Sequence, residues 1–214
     1  FSAPMSIHMS ESSGAENRAE AEKIVSVGDP VAVRSNFRML NAHRFMSKGT
    51  DDKVGAFVVA ETMRELSKRK LNVAVYGVGT VQEEVGLRGA HTSTFGVDPQ
   101  VGFAIDVGFA TDLPDIPKKL LGEIRLGGGP ELNRSCDNNP VLGRILRRIA
   151  KEKKIAYQET AAHRASGGTD AAQIQMTRAG VATALLSIPN RYMHSPVEIC
   201  DLRDVEGAVK LLVE

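Results

Sequence analysis

From residue 51 onward the chain alternates between two rhythms. Residues 54–68 carry Val54, Val58, Thr62 and Leu66 at helical spacing, with Phe57 and Met63 nearby, which predicts an amphipathic helix. Residues 73–78 (VAVYGV) form a short β-branched run, the pattern of a buried strand. The same reading gives a helix opening at 87–93 and a buried strand at 101–107 (VGFAIDV). A third strand is expected to begin at 124–126 and to end at Gly127-Gly128-Gly129. Residues 140–153 predict a strong helix, with Val141, Ile145 and Ile149 on one face and Arg and Lys on the other. A strand at 155–159, a helix at 169–178 ending before Gly180, a buried strand at 183–188 (TALLSI) and a final amphipathic helix at 204–213 complete the series.

Alternating strands and helices imply an α/β layered domain with a parallel or mixed sheet. The preceding residues break the rhythm. Residues 1–28 are polar and irregular, with a short Ala- and Glu-rich helix at 17–24. A turn at Gly28-Asp29-Pro30 leads into a short strand at 30–34, and residues 38–49 read as loop. The expected organisation is therefore the end of a smaller β-rich module over 1–46 and an α/β domain over 47–214, with the boundary near Ser47.

Composition narrows the function. The 214 residues are 42% hydrophobic, enough for a sizeable core. Lys and Arg total 27 against 26 Asp and Glu, a formal net charge of +1. That balance argues against a nucleic-acid or membrane partner recruited by bulk charge. Trp is absent and aromatics are 5%, which disfavours a base-stacking platform. No apolar run reaches the ~18 residues of a membrane span. Cys136 and Cys200 lie too far apart for a CxxC motif, and with no secretory signal visible they fit buried, reduced thiols of a cytoplasmic protein.

Four sets of acidic or imidazole residues stand at predicted strand ends or loops, where open α/β sheets place their sites. They are Asp51-Asp52 before a helix, Glu83-Glu84 after the 73–78 run, Asp106 at the end of an apolar strand, and His194 in the loop after 183–188. Each has a plain reading: a helix cap for Asp51, a solvated pair for Glu83-Glu84, a satisfied loop histidine for His194. Asp106 is the more informative, because a carboxylate ending a buried strand costs several kcal/mol unless it is paired or bound to a metal. Together they make the hard-oxygen and imidazole set that two divalent ions sharing a carboxylate require.

Five segments now carry a resemblance: SKGTDDKVG at 47–55, TVQEEVGLRGA at 80–90, AIDVGFATD at 104–112, SGGTDAA at 166–172 and PNRYMHSPVE at 189–198. With them the chain resembles the tetrahedral aminopeptidases over residues 14–214. This is a family of dinuclear metallopeptidases that includes glutamyl and lysyl aminopeptidases and proteins called endoglucanase M. The stretch at 13–31 resembles the return from that family's inserted dimerisation domain.

The resemblance implies a three-layer α/β/α metallopeptidase domain with a mixed sheet, and two divalent metal ions per subunit: Zn or Co, with Mn also suited. Asp51 would bridge the metals, Glu84 and His194 would hold one, and Asp106 the other. Glu83 would be the general base, acting on a water between the metals and returning the proton to the leaving amine. Peptides would be the substrates, and the subunits would assemble as homo-oligomers, from dimer to tetrahedral dodecamer. The family's remaining ligand is a His in a His-x-Asp motif upstream of the dimerisation domain. The early candidate here is His8, but Ser10 stands where Asp is expected and His8 lies too close to the 13–31 segment. The resemblance thus lacks the N-terminal part, leaving one metal short of a ligand.

The leading expectation is aminopeptidase activity on short peptides. An inactive or weakly active assembly subunit is the alternative, given the missing ligand. Glycoside hydrolysis ranks below both, because it needs two carboxyls about 5–9.5 Å apart across the bond, whereas these carboxylates match a metal set. Three smaller features stay open. The Gly127–129 run either lets backbone approach a peptide or only turns the chain. Thr169 and Asp170 either shape a pocket or cap a helix. Arg191 and Tyr192 either support the His194 loop or form a surface pair.

Overall fold

The structure is a computed structural model that describes residues 14–30, 36–161 and 168–214. The chain divides into two units, Phe1–Arg34 and Ser35–Glu214. In the first, helix α1 (Arg18–Ala21) is capped by Asn17, whose side chain accepts from the Glu20 N–H. The strand expected at 30–34 lies outside the described residues.

The second unit holds two sheets. Strands β1 (Arg38–Met39), β2 (Arg44–Ser47) and β7 (Glu198–Asp201) form an antiparallel sheet in the order β1-β2-β7. Both β1 and β2 fall where the sequence read as loop. Neither run is long enough to show a period, and β2 exists because β7, from the far end of the chain, pairs with it in the register Ser47↔Glu198.

The larger sheet has the order β3-β6-β4-β5, from β3 (Val101–Phe109), β4 (Glu131–Arg134), β5 (Gln158–Ala161) and β6 (Ala182–Asn190). It is mixed: β3 runs parallel to β6 and β4 parallel to β5, while β4 is antiparallel to β6. Helices α2 (Thr50–Leu66), α5 (Pro140–Glu152) and α7 (Leu202–Val213) cover one face, packing Val54, Val58, Leu146, Ala150, Val205 and Leu211 onto Val107, Leu132, Leu186 and Ile188. On the other face Ala171 and Ile174 of α6 (Asp170–Met176) meet Ala104 and Leu185, with α3 (Arg88–Val97) packed on α6. A short α4 (Lys118–Leu121) lies between β3 and β4. The result is the expected three-layer α/β/α arrangement. No helix among the described residues is long and apolar enough to cross a membrane.

Four further expectations need correction. Residues 73–78 form no strand, and Val73 and Tyr76 are about two-thirds exposed. The β-branched run favours extended backbone, but a strand also needs a neighbour's ladder, and none among the described residues supplies one. Residues 124–126 are not a strand either. Their polar groups bond to a neighbouring loop and to single side chains: Thr111 N–H donates to the Ile124 carbonyl, and Leu126 N–H to Asp112. Along α5, Leu146 and Ala150 are the buried residues, while Val141 and Ile145 face outward. Leu142 and Ile149 complete the buried stripe, so the helix is turned from the expected face. Finally, Cys200 is buried but Cys136 is exposed.

Candidate metal centre

Asp51 and Asp52 open α2 with non-helical backbone, across a cis peptide bond. Asp52 caps the helix, its Oδ1 accepting from the Gly55 N–H at 2.9 Å. That leaves the Asp51 carboxylate outside the cap. Its Oδ2 lies 3.0 Å from His194 Nε2, and the same nitrogen is 3.6 Å from Glu84 Oε2. His194 comes from the loop after β6, where its backbone has φ +62°. Glu83 and Glu84 come from a turn closed by the Gly86 and Leu87 N–H groups on the Glu83 carbonyl.

Two sets of potential ligand atoms result, each within 4.8 Å of one another: Asp51, Glu84 and His194, and Asp51, Asp52 and Asp106. Asp51 belongs to both. Glu83 belongs to neither and is half-buried beside them. All five residues given a role by the resemblance therefore lie in one neighbourhood.

Three further residues join them. Asp52 is a member of the second set. Asp170, at the start of α6, accepts from Thr80 Oγ1 at 2.6 Å and raises the pKa values of Glu83 and Asp106. Glu198, 2% exposed, accepts from the Thr50, Asp51 and His194 N–H groups. The only sequence signal for Asp52 was its place beside Asp51, and Glu198 ended the PNRYMHSPVE segment without a chemical reason to single it out.

The electrostatics follow from crowding acids away from water. Burial and, after it, the Glu84 charge raise the Asp51 pKa, against the opposing pull of His194. Burial, then Asp106, pushes Asp52 up to about 9. Burial, then Glu84, takes Glu83 to about 7. Burial takes Asp106 to about 7, although its own Val107 N–H opposes the shift. Such a cluster either retains protons or, to ionise together, needs bound cations. No Lys or Arg among the described residues forms an ion pair with these carboxylates. A donor set of carboxylate oxygens and one imidazole fits a divalent cation of the Zn, Co or Mn kind.

The open features resolve differently. The Gly127 and Gly129 N–H groups donate to Asp204 at 2.8 and 2.7 Å, and both glycines have positive φ. The run is a turn pinned by a helix residue, and these two donors are not free to meet a peptide. Arg191 forms two 2.7 Å bonds to Asp112, tying the loop after β3 to the segment leading to His194. Thr169 is the cap residue of α6 but makes no side-chain cap bond. His91 is exposed on α3; His8, His163, Ser166 and Gly167 lie outside the described residues.

Residues 8–211 match the family model described as M42 glutamyl aminopeptidase. The chain is 41% identical over 199 residues to the lysyl aminopeptidase of Pyrococcus furiosus, covering 92% of this chain and 56% of that protein. An aminopeptidase structure from the archaeon Desulfurococcus kamchatkensis superposes with a TM-score of 0.85 at 40% identity, covering 92% of this chain and 56% of the other. A second structure, the Pyrococcus horikoshii TET1 peptidase, which can assemble into a tetrahedron or a large octahedral shell, gives 0.80 at 33% identity, with 94% and 58% covered. The chain thus spans a little over half the length of these relatives. With the fold, the gathered acids and the family match in agreement, this chain belongs to the M42 glutamyl aminopeptidase family.

Proposed function

We propose that this chain carries the catalytic centre of a metallo-aminopeptidase that removes N-terminal residues from short peptides. The observation that carries the reading is the place of Asp51 in both ligand sets, with Glu83 beside them and in neither. Asp51 would be shared between two cations, Glu84 and His194 would complete one shell, and Asp106 would serve the other. Asp52, in contact range of Asp51 and Asp106, adds a carboxylate to the second set. When bound, the cations would supply a polarised scissile carbonyl and a water of lowered pKa.

The proton-carrying role falls to Glu83. It is half-buried, and burial followed by the Glu84 charge takes its pKa to about 7. A carboxyl poised there can take a proton and return it to the leaving amine near neutral pH. Adjacent residues in a turn diverge, so Glu84 can face His194 while Glu83 faces substrate.

The assembly reported for the TET1 relative supports a homo-oligomer here, with the remnant of a dimerisation module lying within residues 1–46 and ending before β1, which belongs to the second unit's sheet. Light scattering of the purified chain tests that assignment.

The test of activity is hydrolysis of aminoacyl p-nitroanilides with Zn²⁺, Co²⁺ or Mn²⁺, with and without chelator, for the native chain and Glu83→Gln. Metal-stimulated turnover abolished in the variant is the expected result. Full activity in Glu83→Gln overturns the assignment of the base, and chelator-insensitive turnover overturns the metal reading. Metal binding without turnover selects the assembly-subunit alternative.

A further inference from the structure

Glu198 is a buried carboxylate that forms no ion pair with a Lys, Arg or His among the described residues, yet both of its oxygens are used. Oε2 accepts from the Thr50 N–H at 2.5 Å and from the Asp51 N–H at 3.1 Å. Oε1 accepts from the His194 N–H at 3.0 Å. One oxygen therefore grips the entry to α2 and the other grips the loop after β6. These are the two segments whose side chains meet at 3.0 Å as Asp51 and His194.

The fold explains why Glu198 can reach both. It is the first residue of β7, paired with Ser47 at the end of β2, and the chain runs from Ser47 straight into Thr50 and Asp51. His194 lies four residues before it, in a loop whose positive φ turns the imidazole back toward α2. Thr50 and Asp51 N–H groups at a helix start lack intrahelical acceptors, so they attract an ionised acceptor, and charge-assisted bonds of this kind are the stronger ones.

We infer that Glu198 is a positioning residue: its carboxylate sets the separation of Asp51 and His194 and so presets the cation site they share with Glu84. The inference rests on the ligand roles proposed above for Asp51 and His194. The geometry demands two acceptors. Gln keeps the size of Glu198 but exchanges one acceptor oxygen for an NH₂ group that faces an N–H, so one of the two segments must let go. Asp is too short by one methylene to hold both.

The test uses the full chain in three forms: native, Glu198→Gln and Asp204→Asn. Asp204 is the control, a buried carboxylate that also accepts from two backbone N–H groups, those of Gly127 and Gly129, and belongs to neither ligand set. Zn²⁺ affinity is read by calorimetry, and protection of the Thr50, Asp51 and His194 amides by hydrogen exchange in the metal-free protein. The inference expects a 10- to 100-fold loss of Zn²⁺ affinity in Glu198→Gln, the range seen when groups that orient ligands are removed. It also expects faster exchange at His194 or at Thr50 and Asp51, with Asp204→Asn unchanged in both readouts. Unchanged affinity and exchange in Glu198→Gln overturns it, as does an equal loss of affinity in Asp204→Asn. A native chain that binds no Zn²⁺ overturns the metal reading instead, while the exchange data still decide whether Glu198 holds the two segments.

Discussion

The carboxylate of Glu131 fills the space that a Cβ on Gly108 would need. Both residues lie close to Asp106, since Asp106 of β3 and Glu131 of β4 are each paired with Ser187 of β6, and Gly108 is two residues further along the same face. Glycine at 108 is thus required by a neighbour two strands away. Gly108→Ala should destabilise the chain by about 1–3 kcal/mol through overpacking. The penalty should largely vanish in a Glu131→Ala background. Denaturant unfolding of the four-member cycle measures this coupling, and strict additivity would contradict the contact.

Glu131 should also give the chain a pH dependence of its own. Burial, with Asp204 adding to it, raises its pKa from 4.5 to about 8, and its Oε1 has no hydrogen-bond partner among the described residues. Between pH 4.5 and 8 the unfolded chain has released this proton while the native chain retains it. Stability therefore falls as pH rises through that window. Glu131→Gln, neutral throughout, should be more stable than the native chain at pH 8 by about 1–3 kcal/mol and close to it at pH 4.5. Urea titrations at the two pH values check this; equal stability at pH 8 would refute it.

The Asp112–Arg191 pair should act in the opposite sense. Burial pushes the Asp112 carboxyl up, but the two Arg191 bonds and the Leu126 N–H outweigh it and hold its pKa below 3.8. The native state thus binds this proton less readily than the unfolded chain. The stabilisation is present above pH 3.8 and is lost as pH falls through the native pKa. Arg191→Ala should cost about 1–3 kcal/mol at pH 7, the usual worth of hydrogen bonds to a charged group, and move acid unfolding to higher pH. Arg191→Lys should recover only part, because an ammonium cannot form the paired bonds. Circular dichroism across an acid titration reads both.

The two adjacent glutamates should separate in a metal-binding experiment. Glu84→Gln, within reach of His194, should weaken Zn²⁺ binding at least 10-fold. Glu83→Gln should bind Zn²⁺ like the native chain while turnover falls by about 10²–10⁴, the usual worth of a general base. Equilibrium dialysis with metal analysis, beside the hydrolysis assay, reports the two effects. Weakened binding in Glu83→Gln would make it a ligand.

Most of the architecture was readable in local pattern. The periods over Thr50–Leu66, Val101–Phe109, Pro140–Glu152 and Ala182–Asn190 reflect which side chains must leave water, and that is written along the chain. The misreadings share one cause. Val73–Val78 have strand chemistry without a ladder partner among the described residues, and Val141 and Ile145 are apolar on a face left partly exposed. Conversely, β1 and β2 were invisible because their partners come from elsewhere in sequence.

The candidate site divides along the same line. The sequence by itself determined the residue types: acids at a helix start, in a turn and at a strand end, and an imidazole in a loop, enough to point to divalent-cation chemistry. Only the tertiary structure decided that Asp51 meets both His194 and Asp106, that Asp52 caps a helix while Glu83 stands apart, and that Glu198 joins two segments through backbone N–H groups. A side-chain type is a local property of the chain. The distance between two carboxylates, and the pKa shifts that distance and burial impose, arise only when remote segments are packed together and water is excluded.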